Sequence, residues 1–305
     1  MRRSLAVFSL ALVLAGCGSG GDKGSSSHSP GRGTIEALWR GSGESVGLVS
    51  GTSDYAAGQL RVSFLVVGRD ARPVYRPRAR VFVARSLGSK PFLRAEARLE
   101  PIGPAGANEA AAGNATGIYV ARLTIARPGR YLLLAEPVGG TKRIGALGYL
   151  AVKRTSATPP VGARAYASRT PTVASAHGRL ARITTATPPD RDLLRFSVAQ
   201  SLAVHRPFVV VFATPKFCTS RTCGPVVDVV QAVSRRFRGR GIRFIHVEIY
   251  AGNDPARGFN QWVRQWHLPT EPWIFLVGAD GRIKAKFEGS VSVAELAAAV
   301  RSRLT

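Results

Sequence analysis

Residues 34–153 carry the pattern of apolar and polar positions expected for an all-β region. Residues 60–68 are apolar and β-branched, and residues 74–84 alternate as half-buried strands do. Gly117–Ile125 is followed by the turn Ala-Arg-Pro-Gly and by a further apolar run at residues 130–136, which together predict a hairpin. With a last strand at residues 149–153, the spacing predicts a β-sandwich over residues 34–153.

From residue 190 onward the pattern alternates between strands and helices. Residues 207–214, Pro-Phe-Val-Val-Val-Phe-Ala-Thr, predict a strand that is covered on both faces. Apolar residues then recur at intervals of three and four through residue 237, which predicts a helix. Asp190 is a candidate cap for a helix ahead of this strand. The remaining elements are predicted as strands at residues 241–250, 273–277 and 282–288, with helices within residues 253–266 and 293–304.

The segment between these regions is predicted to be a linker. Residues 155–160 read Thr-Ser-Ala-Thr-Pro-Pro, and more prolines follow before residue 190. Such a composition predicts little helix. We therefore expect residues 154–189 to be a linker and an extended lead-in to the domain over residues 190–305.

The N-terminus has the layout of a secretory signal peptide. Met-Arg-Arg precedes an apolar run at residues 5–15, which is too short to span a bilayer. Leu-Ala-Gly-Cys at residues 14–17 resembles the bacterial lipobox. That resemblance implies that residues 1–17 form a lipoprotein signal peptide and that Cys17 is acylated, whereas an ordinary signal peptide with an incidental cysteine is the alternative. Residues 18–33, rich in Gly and Ser, are predicted to be a flexible tether.

The formal net charge of +25 does not by itself indicate a nucleic-acid partner. The arginines are scattered from Arg61 to Arg303, and an export signal argues against nucleic acid. Basic residues near a membrane surface instead favour anionic lipid headgroups. We expect an extracytoplasmic protein held on the cell membrane by its lipid, in a compartment where disulfides persist.

Cys218 and Cys223 are the candidate chemical centre. The chain has three cysteines, and these two follow the apolar strand at residues 207–214. In one regular helix, residues five apart have Cα atoms roughly 8–9 Å apart, whereas a disulfide requires less than about 7 Å. Gly224-Pro225 favours a helix that begins after the pair. The sequence therefore predicts a disulfide in a short loop, or a dithiol that remodels on oxidation.

Nearby charges favour a reactive thiolate at this pair. Lys216 and Arg221 flank the cysteines, and the positive end of the helix dipole follows them. These conditions lower the pKa of a cysteine and raise its reactivity. A structural disulfide, or two inert thiols, is the alternative.

Three features of the C-terminal region resemble the thioredoxin-like family. They are a cysteine after the first central strand, a helix that begins there, and Pro272 directly before the strand at residues 273–277. The resemblance covers residues 190–305. It implies a cis Pro272, a substrate groove bordered by Glu271, Pro272 and Trp273, and exchange in which Cys218 attacks and Cys223 resolves. A second register, with Cys223 as the attacking thiol, stays open because the cysteines are five apart instead of three.

The N-terminal region carries a weaker resemblance. Its Gly-Ile-Tyr and Pro-Gly-Arg-Tyr segments, which begin at residues 117 and 128, resemble those of immunoglobulin-like modules of bacterial surface proteins. The resemblance implies an immunoglobulin-like sandwich with a structural or docking role.

Taken together, these features predict a thiol–disulfide oxidoreductase of the cell envelope that acts on protein disulfides or thiols. Three alternatives remain. The first is an atypical two-cysteine peroxiredoxin, which shares the cysteine spacing. The second is a copper chaperone of the Sco type, with His246 or His267 as a third ligand. The third is a redox-inactive binding module. We predict no cofactor and no resident metal.

Overall fold

A computed structural model of the protein describes residues 31–43, 46–105 and 115–305. The predicted signal peptide, the lipidation residue Cys17 and residues 18–30 of the tether lie outside the described residues. Within the described ranges, no helix is long and apolar enough to cross a membrane.

The N-terminal part consists mainly of strands. Among its described residues a short helix comes first, and eight strands follow: α1 (Ile35–Arg40), β1 (Val46–Ser50), β2 (Tyr55–Ala56), β3 (Gly58–Gly68), β4 (Arg78–Ala84), β5 (Leu93–Pro101), β6 (Gly117–Ile125), β7 (Gly129–Val138) and β8 (Ala146–Lys153). We call residues 46–153 the β region. The prediction that every element from residue 34 is a strand was wrong at α1, which Thr34 caps by accepting a hydrogen bond from the N–H of Ala37.

The eight strands form one hydrogen-bonded sheet in the order β1-β3-β6-β5-β4-β7-β8-β2. Neighbouring strands are antiparallel, except that β2 is parallel to β8. The sheet curls, so that Leu48 on β1 packs over Gly148 on β8, where a Cβ atom would clash with the leucine. Apart from α1, the elements described within residues 34–153 are strands, as predicted, but they form one continuous curled sheet where a sandwich would have two.

The interior of this curled sheet is the core of the β region. Alternate residues of β8 are buried, and the Phe64 and Tyr119 rings stack with their centroids 5.5 Å apart. The bounds of β6 agree with the strand predicted at Gly117–Ile125, because alternating side chains inside and outside a sheet leave a clear two-residue period.

The C-terminal part, which we call the mixed region (residues 190–305), has a four-stranded sheet with helices. Its elements are α2 (Val198–Ala203), β9 (Phe208–Phe212), α3 (Cys223–Arg236), β10 (Arg243–Val247), α4 (Gln261–Gln265), β11 (Trp273–Val277), β12 (Ile283–Glu288) and α5 (Val293–Leu304). The strand order is β10-β9-β11-β12. Strands β9 and β10 are parallel, whereas β11 is antiparallel to both of its neighbours.

Both faces of this sheet are covered. Helices α3 and α5 pack on the face of Val209 and Val211, and Trp266 packs on the other face against Phe212 and Phe275. All five residues of β9 are buried. The continuous apolar run at residues 207–214 is therefore a central strand, as predicted.

The helix predicted from Asp190 differs from the structure. A single 3-10 turn at Asp192–Leu194 is followed by a break, and α2 begins only after Ser197. Ser197 and Gln200 form a capping box at that point, which fixes the start of α2 there.

Charged and polar contacts join the two regions. Arg61 on β3 forms two hydrogen bonds to Glu295 on α5, at 2.9 and 2.8 Å. Glu288 on β12 accepts hydrogen bonds from the backbone N–H groups of Ser53 and Asp54, at 2.9 and 2.8 Å. Next to it, Gly289 has a φ of +71° and lies so close to Gly51 that a Cβ atom would clash with the Gly51 carbonyl oxygen.

Candidate functional site

Cys218 and Cys223 form a disulfide, with their Cα atoms 5.9 Å apart. Cys218 lies in the turn after β9, and Cys223 is the first residue of α3. The pair is therefore not held within one regular helix, in agreement with the distance argument from the sequence. The prediction that α3 begins after both cysteines differs from the structure, because the helix begins at Cys223, two residues before Pro225.

The turn between the two cysteines brings them together. Arg221 has a φ of +57°, and its N–H donates to the carbonyl oxygen of Cys218 at 3.2 Å. The valines of α3 then pack into the core together with Cys223. As a result Cys223 is fully buried, whereas Cys218 is half-buried and its Sγ lies 3.2 Å from the hydroxyl of Ser220. The two sulfurs thus differ in access to a partner molecule.

Glu271 lies beside this disulfide. The Glu271–Pro272 peptide bond is cis, as the resemblance implied. A carboxylate oxygen of Glu271 and the Sγ atoms of Cys218 and Cys223 all lie within 4.8 Å of one another. Burial, together with the negative charge of Glu248, raises the pKa of Glu271 to about 7. The carboxyl group therefore changes its protonation state near neutral pH.

A second carboxylate, which the sequence analysis missed, lies behind the first. Glu248 directly follows β10 and is buried, and one of its oxygens accepts hydrogen bonds from the N–H and the hydroxyl of Thr185. The signal in the sequence was a carboxylate in the stretch Phe-Ile-His-Val-Glu-Ile, where the other residues except His246 are apolar. Thr185, in the lead-in segment, gave no sequence signal of its own.

His246 is a hydrogen-bonded core residue. Its Nε2 lies 3.0 Å from the carbonyl oxygen of Ala213, and its Nδ1 lies 3.4 Å from the hydroxyl of Thr184. A carbonyl can only accept, so Nε2 carries a proton, and the hydroxyl of Thr184 is the partner of Nδ1. Both ring nitrogens are therefore occupied by partners within the protein.

A groove of about 690 Å³ borders the disulfide. Cys218 and Arg221 lie on one side, and the lead-in segment at residues 185–188 forms another wall. Lys216 also lines this groove, with its Nζ over the ring of Phe217 at 5.3 Å from the centroid. The groove therefore places two cationic side chains in the same cavity as the accessible sulfur.

The structure does not bring Trp273 into this groove. Trp273 is buried, stacks on Phe275, and donates from its indole N–H to the hydroxyl of Thr270 at 3.1 Å. Glu271 and Pro272 do not line this groove either, although a Glu271 oxygen lies within 4.8 Å of both sulfurs. Pro272 is buried, and its carbonyl oxygen accepts from the N–H of Gly289 at 2.9 Å.

Comparison with known proteins adds no family to this picture. The chain matches no family model, and a search of curated proteins also finds no match. Within the described part of the chain, Cys218, Cys223 and Glu271 are the group of side chains with the composition and spacing to hold a metal ion.

Proposed function

We propose that the protein is a thiol–disulfide oxidoreductase of the cell envelope, with Cys218 and Cys223 as its redox pair. The observation that carries the proposal is the disulfide itself, which joins a half-buried cysteine at a groove to a fully buried one at a helix start. The strand order β10-β9-β11-β12 and the cis Pro272 support a thioredoxin-like fold for the mixed region. For the β region, we keep an immunoglobulin-like role in structure or docking as a proposal.

Cys218 is the sulfur that exchanges with a partner. A partner thiolate attacks the Cys218 Sγ of the oxidised protein, the bond to Cys223 Sγ breaks, and Cys223 leaves as a thiolate. The result is a mixed disulfide between Cys218 and the partner. In the reverse direction the Cys218 thiolate attacks a partner disulfide and expels one partner thiol, and Cys223 then displaces the other.

The surroundings favour the thiolate that each direction requires. Cys223 lies at the positive end of α3, where a negative charge is stabilised. Lys216 and Arg221 line the same groove as Cys218. The Glu271 carboxylate, within 4.8 Å of both sulfurs, is placed to accept the proton that a thiol gives up.

The groove suggests a protein segment as the partner, because the wall at residues 185–188 and the cysteine turn leave an open channel along the sulfur. The membrane anchor at Cys17 and the extracytoplasmic location remain part of the proposal. They rest on the sequence of residues 1–17 and on its resemblance to a lipobox.

The proposal is tested by reduction of insulin in the presence of dithiothreitol, using the full chain in detergent. We expect catalysed turnover by the wild type and none by Cys218→Ser. When reduced Cys223→Ser is freed of dithiothreitol and then mixed with insulin, it should accumulate a mixed disulfide on Cys218, because the resolving thiol is lost. A Cys218–Cys223 disulfide that millimolar dithiothreitol leaves closed, with no turnover, would show that the pair is structural and favour the redox-inactive module.

A further inference from the structure

The corner that holds the disulfide also holds the donor atoms of a metal site. The two Sγ atoms and one Glu271 oxygen lie within 4.8 Å of one another. Glu271 Oε2 is buried and has no hydrogen-bond partner among the described residues. A buried acceptor without a donor is unfavourable, and a cation would supply the interaction that it lacks.

We propose that reduction of the disulfide turns this corner into a site for a thiophilic divalent cation, zinc, held by Cys218, Cys223 and Glu271. Zinc is bound in proteins by thiolate sulfur at about 2.3 Å and by carboxylate oxygen at about 2.0–2.2 Å. With tetrahedral geometry these bond lengths place the ligand atoms about 3.5–3.8 Å apart. Small side-chain rotations bring the three atoms to that separation once the sulfur–sulfur bond is broken.

Metal binding and the disulfide exclude each other, because thiolates are the ligands. A phosphine reductant transfers two electrons to the disulfide and takes an oxygen atom from water, which leaves two thiols. Zinc then displaces the two thiol protons into solvent. A zinc-loaded protein therefore has no free thiolate for exchange, so zinc binding would inhibit the exchange reaction.

The neighbouring polar groups do not belong to the ligand set. Both nitrogens of His246 already have partners, and Glu248 is not among the side chains whose ligand atoms lie within 4.8 Å of one another. Three protein ligands leave the fourth tetrahedral position for a water molecule or another small ligand. Zinc sites with three protein ligands and an open position are those that do chemistry or exchange their metal.

The test is a zinc titration of the full chain in detergent. All samples carry Cys17→Ser, so that the third cysteine contributes no thiol. Protein reduced with a phosphine is titrated against a chromophoric zinc chelator, with the oxidised protein as its control. We expect one zinc ion per chain in the reduced form and none in the oxidised form. Failure of the reduced protein to bind zinc overturns the proposal.

Two carboxylate variants separate the ligand from its neighbour. Glu271→Gln should weaken zinc binding at least about tenfold, whereas Glu248→Gln removes a nearby charge but no ligand and should weaken it far less. Equal affinity of Glu271→Gln and the wild type would show that the dithiol alone binds, and would refute the three-ligand site. Circular dichroism checks that each variant is folded.

A measurement on the protein without carboxylate substitutions covers the case in which Glu271→Gln does not fold. X-ray absorption of the zinc-loaded protein should show two sulfur ligands at about 2.3 Å together with oxygen ligands at about 2.0–2.2 Å. A shell made only of oxygen and nitrogen would refute the site. The insulin assay is independent of this result, so turnover without zinc binding rejects only the metal site, and zinc binding without turnover rejects only the exchange function.

Discussion

The mixed region has two pairs of buried glutamates whose oxygens differ in hydrogen bonding. Glu288 and Glu295 lie at the junction with the β region. Glu271 lies beside the disulfide, with Glu248 as its neighbour. Both oxygens of Glu295 and both oxygens of Glu288 accept hydrogen bonds from groups of the β region or the mixed region. In contrast, Glu248 and Glu271 each keep one buried oxygen without a partner in the described residues. The junction carboxylates hold the two regions together, whereas Glu271 keeps an oxygen that can still accept a proton or a cation.

The unpartnered oxygens of Glu248 and Glu271 lower the stability of the mixed region. A buried acceptor that lacks a donor costs about 1–3 kcal/mol. Native structures contain few such groups, and each calls for an explanation. For Glu271, which lies within 4.8 Å of both sulfurs, the proposed exchange reaction supplies that explanation.

The largest expected effect is at the junction. Glu295→Gln places an amide against Arg61, whose side chain is about as buried as that of Glu295, with 11% and 8% exposed. Breaking a buried ion pair leaves an uncompensated charge, so we expect a loss of about 3 kcal/mol in the free energy of unfolding. Urea denaturation measures this loss.

Insulin reduction by the same variant should remain at the wild-type rate, because Glu295 lies outside the disulfide corner.

Arg122→Ala is the matched control for Glu295→Gln. Arg122 also pairs with Glu295, but 71% of its side chain is exposed, so its loss should cost far less. If Glu295→Gln loses turnover while stability is unchanged, the contrast between junction and corner is wrong.

A smaller effect is expected at Glu271, and it depends on pH. The folded protein raises the pKa of this carboxyl from its ordinary 4.5 to about 7, so the folded state favours the protonated form. Its stabilising contribution is full below pH 4.5 and is lost as the pH rises through 7. Because the group is half-buried and partly screened by solvent, we expect the loss to be about 1–2 kcal/mol.

The measurement compares oxidised wild type with oxidised Glu271→Gln by urea denaturation at a series of pH values. The difference in unfolding free energy should change in favour of the variant between pH 4.5 and 7 and stay level above that interval. Parallel curves for the two proteins would mean that the Glu271 carboxyl titrates alike in the folded and unfolded states.

The smallest effect is expected at an exposed carboxylate. Asp280 pairs with Lys284 at 2.6 Å, with 47% and 35% of the two side chains exposed. Exposed pairs contribute little, so Asp280→Asn should change the free energy of unfolding by less than about 0.5 kcal/mol. A loss comparable to that of Glu295→Gln would show that burial is not what separates the two sites.

The sequence predicted those parts of the structure that depend on local pattern or on a fixed distance. The strand Gly117–Ile125 follows from its period, and the buried strand β9 from its continuous apolar run. The position of Cys218 ahead of the helix follows from the reach of a disulfide. Proximity of Glu271 to the sulfurs came from the family resemblance and agrees with the structure.

Other features depend on contacts between distant segments, which local patterns do not encode. Glu248 and Thr185 meet across 63 residues, and Ser53 and Glu288 across 235. The closure of the β region into one curled sheet depends in the same way on how its first and last strands meet. Trp273 was predicted to border the substrate groove because it follows Pro272, whereas its buried ring stacks on Phe275.

The contacts of Gly289 restrict which residue can occupy position 289 in related sequences. Its backbone touches Gly51 of the β region, and its N–H holds the carbonyl of Pro272, one residue from Glu271. A side chain at this position would have to push the β region away from the strand edge next to the disulfide. Descendants of this gene that keep the present arrangement should therefore keep glycine at 289, even though the residue takes no part in the chemistry.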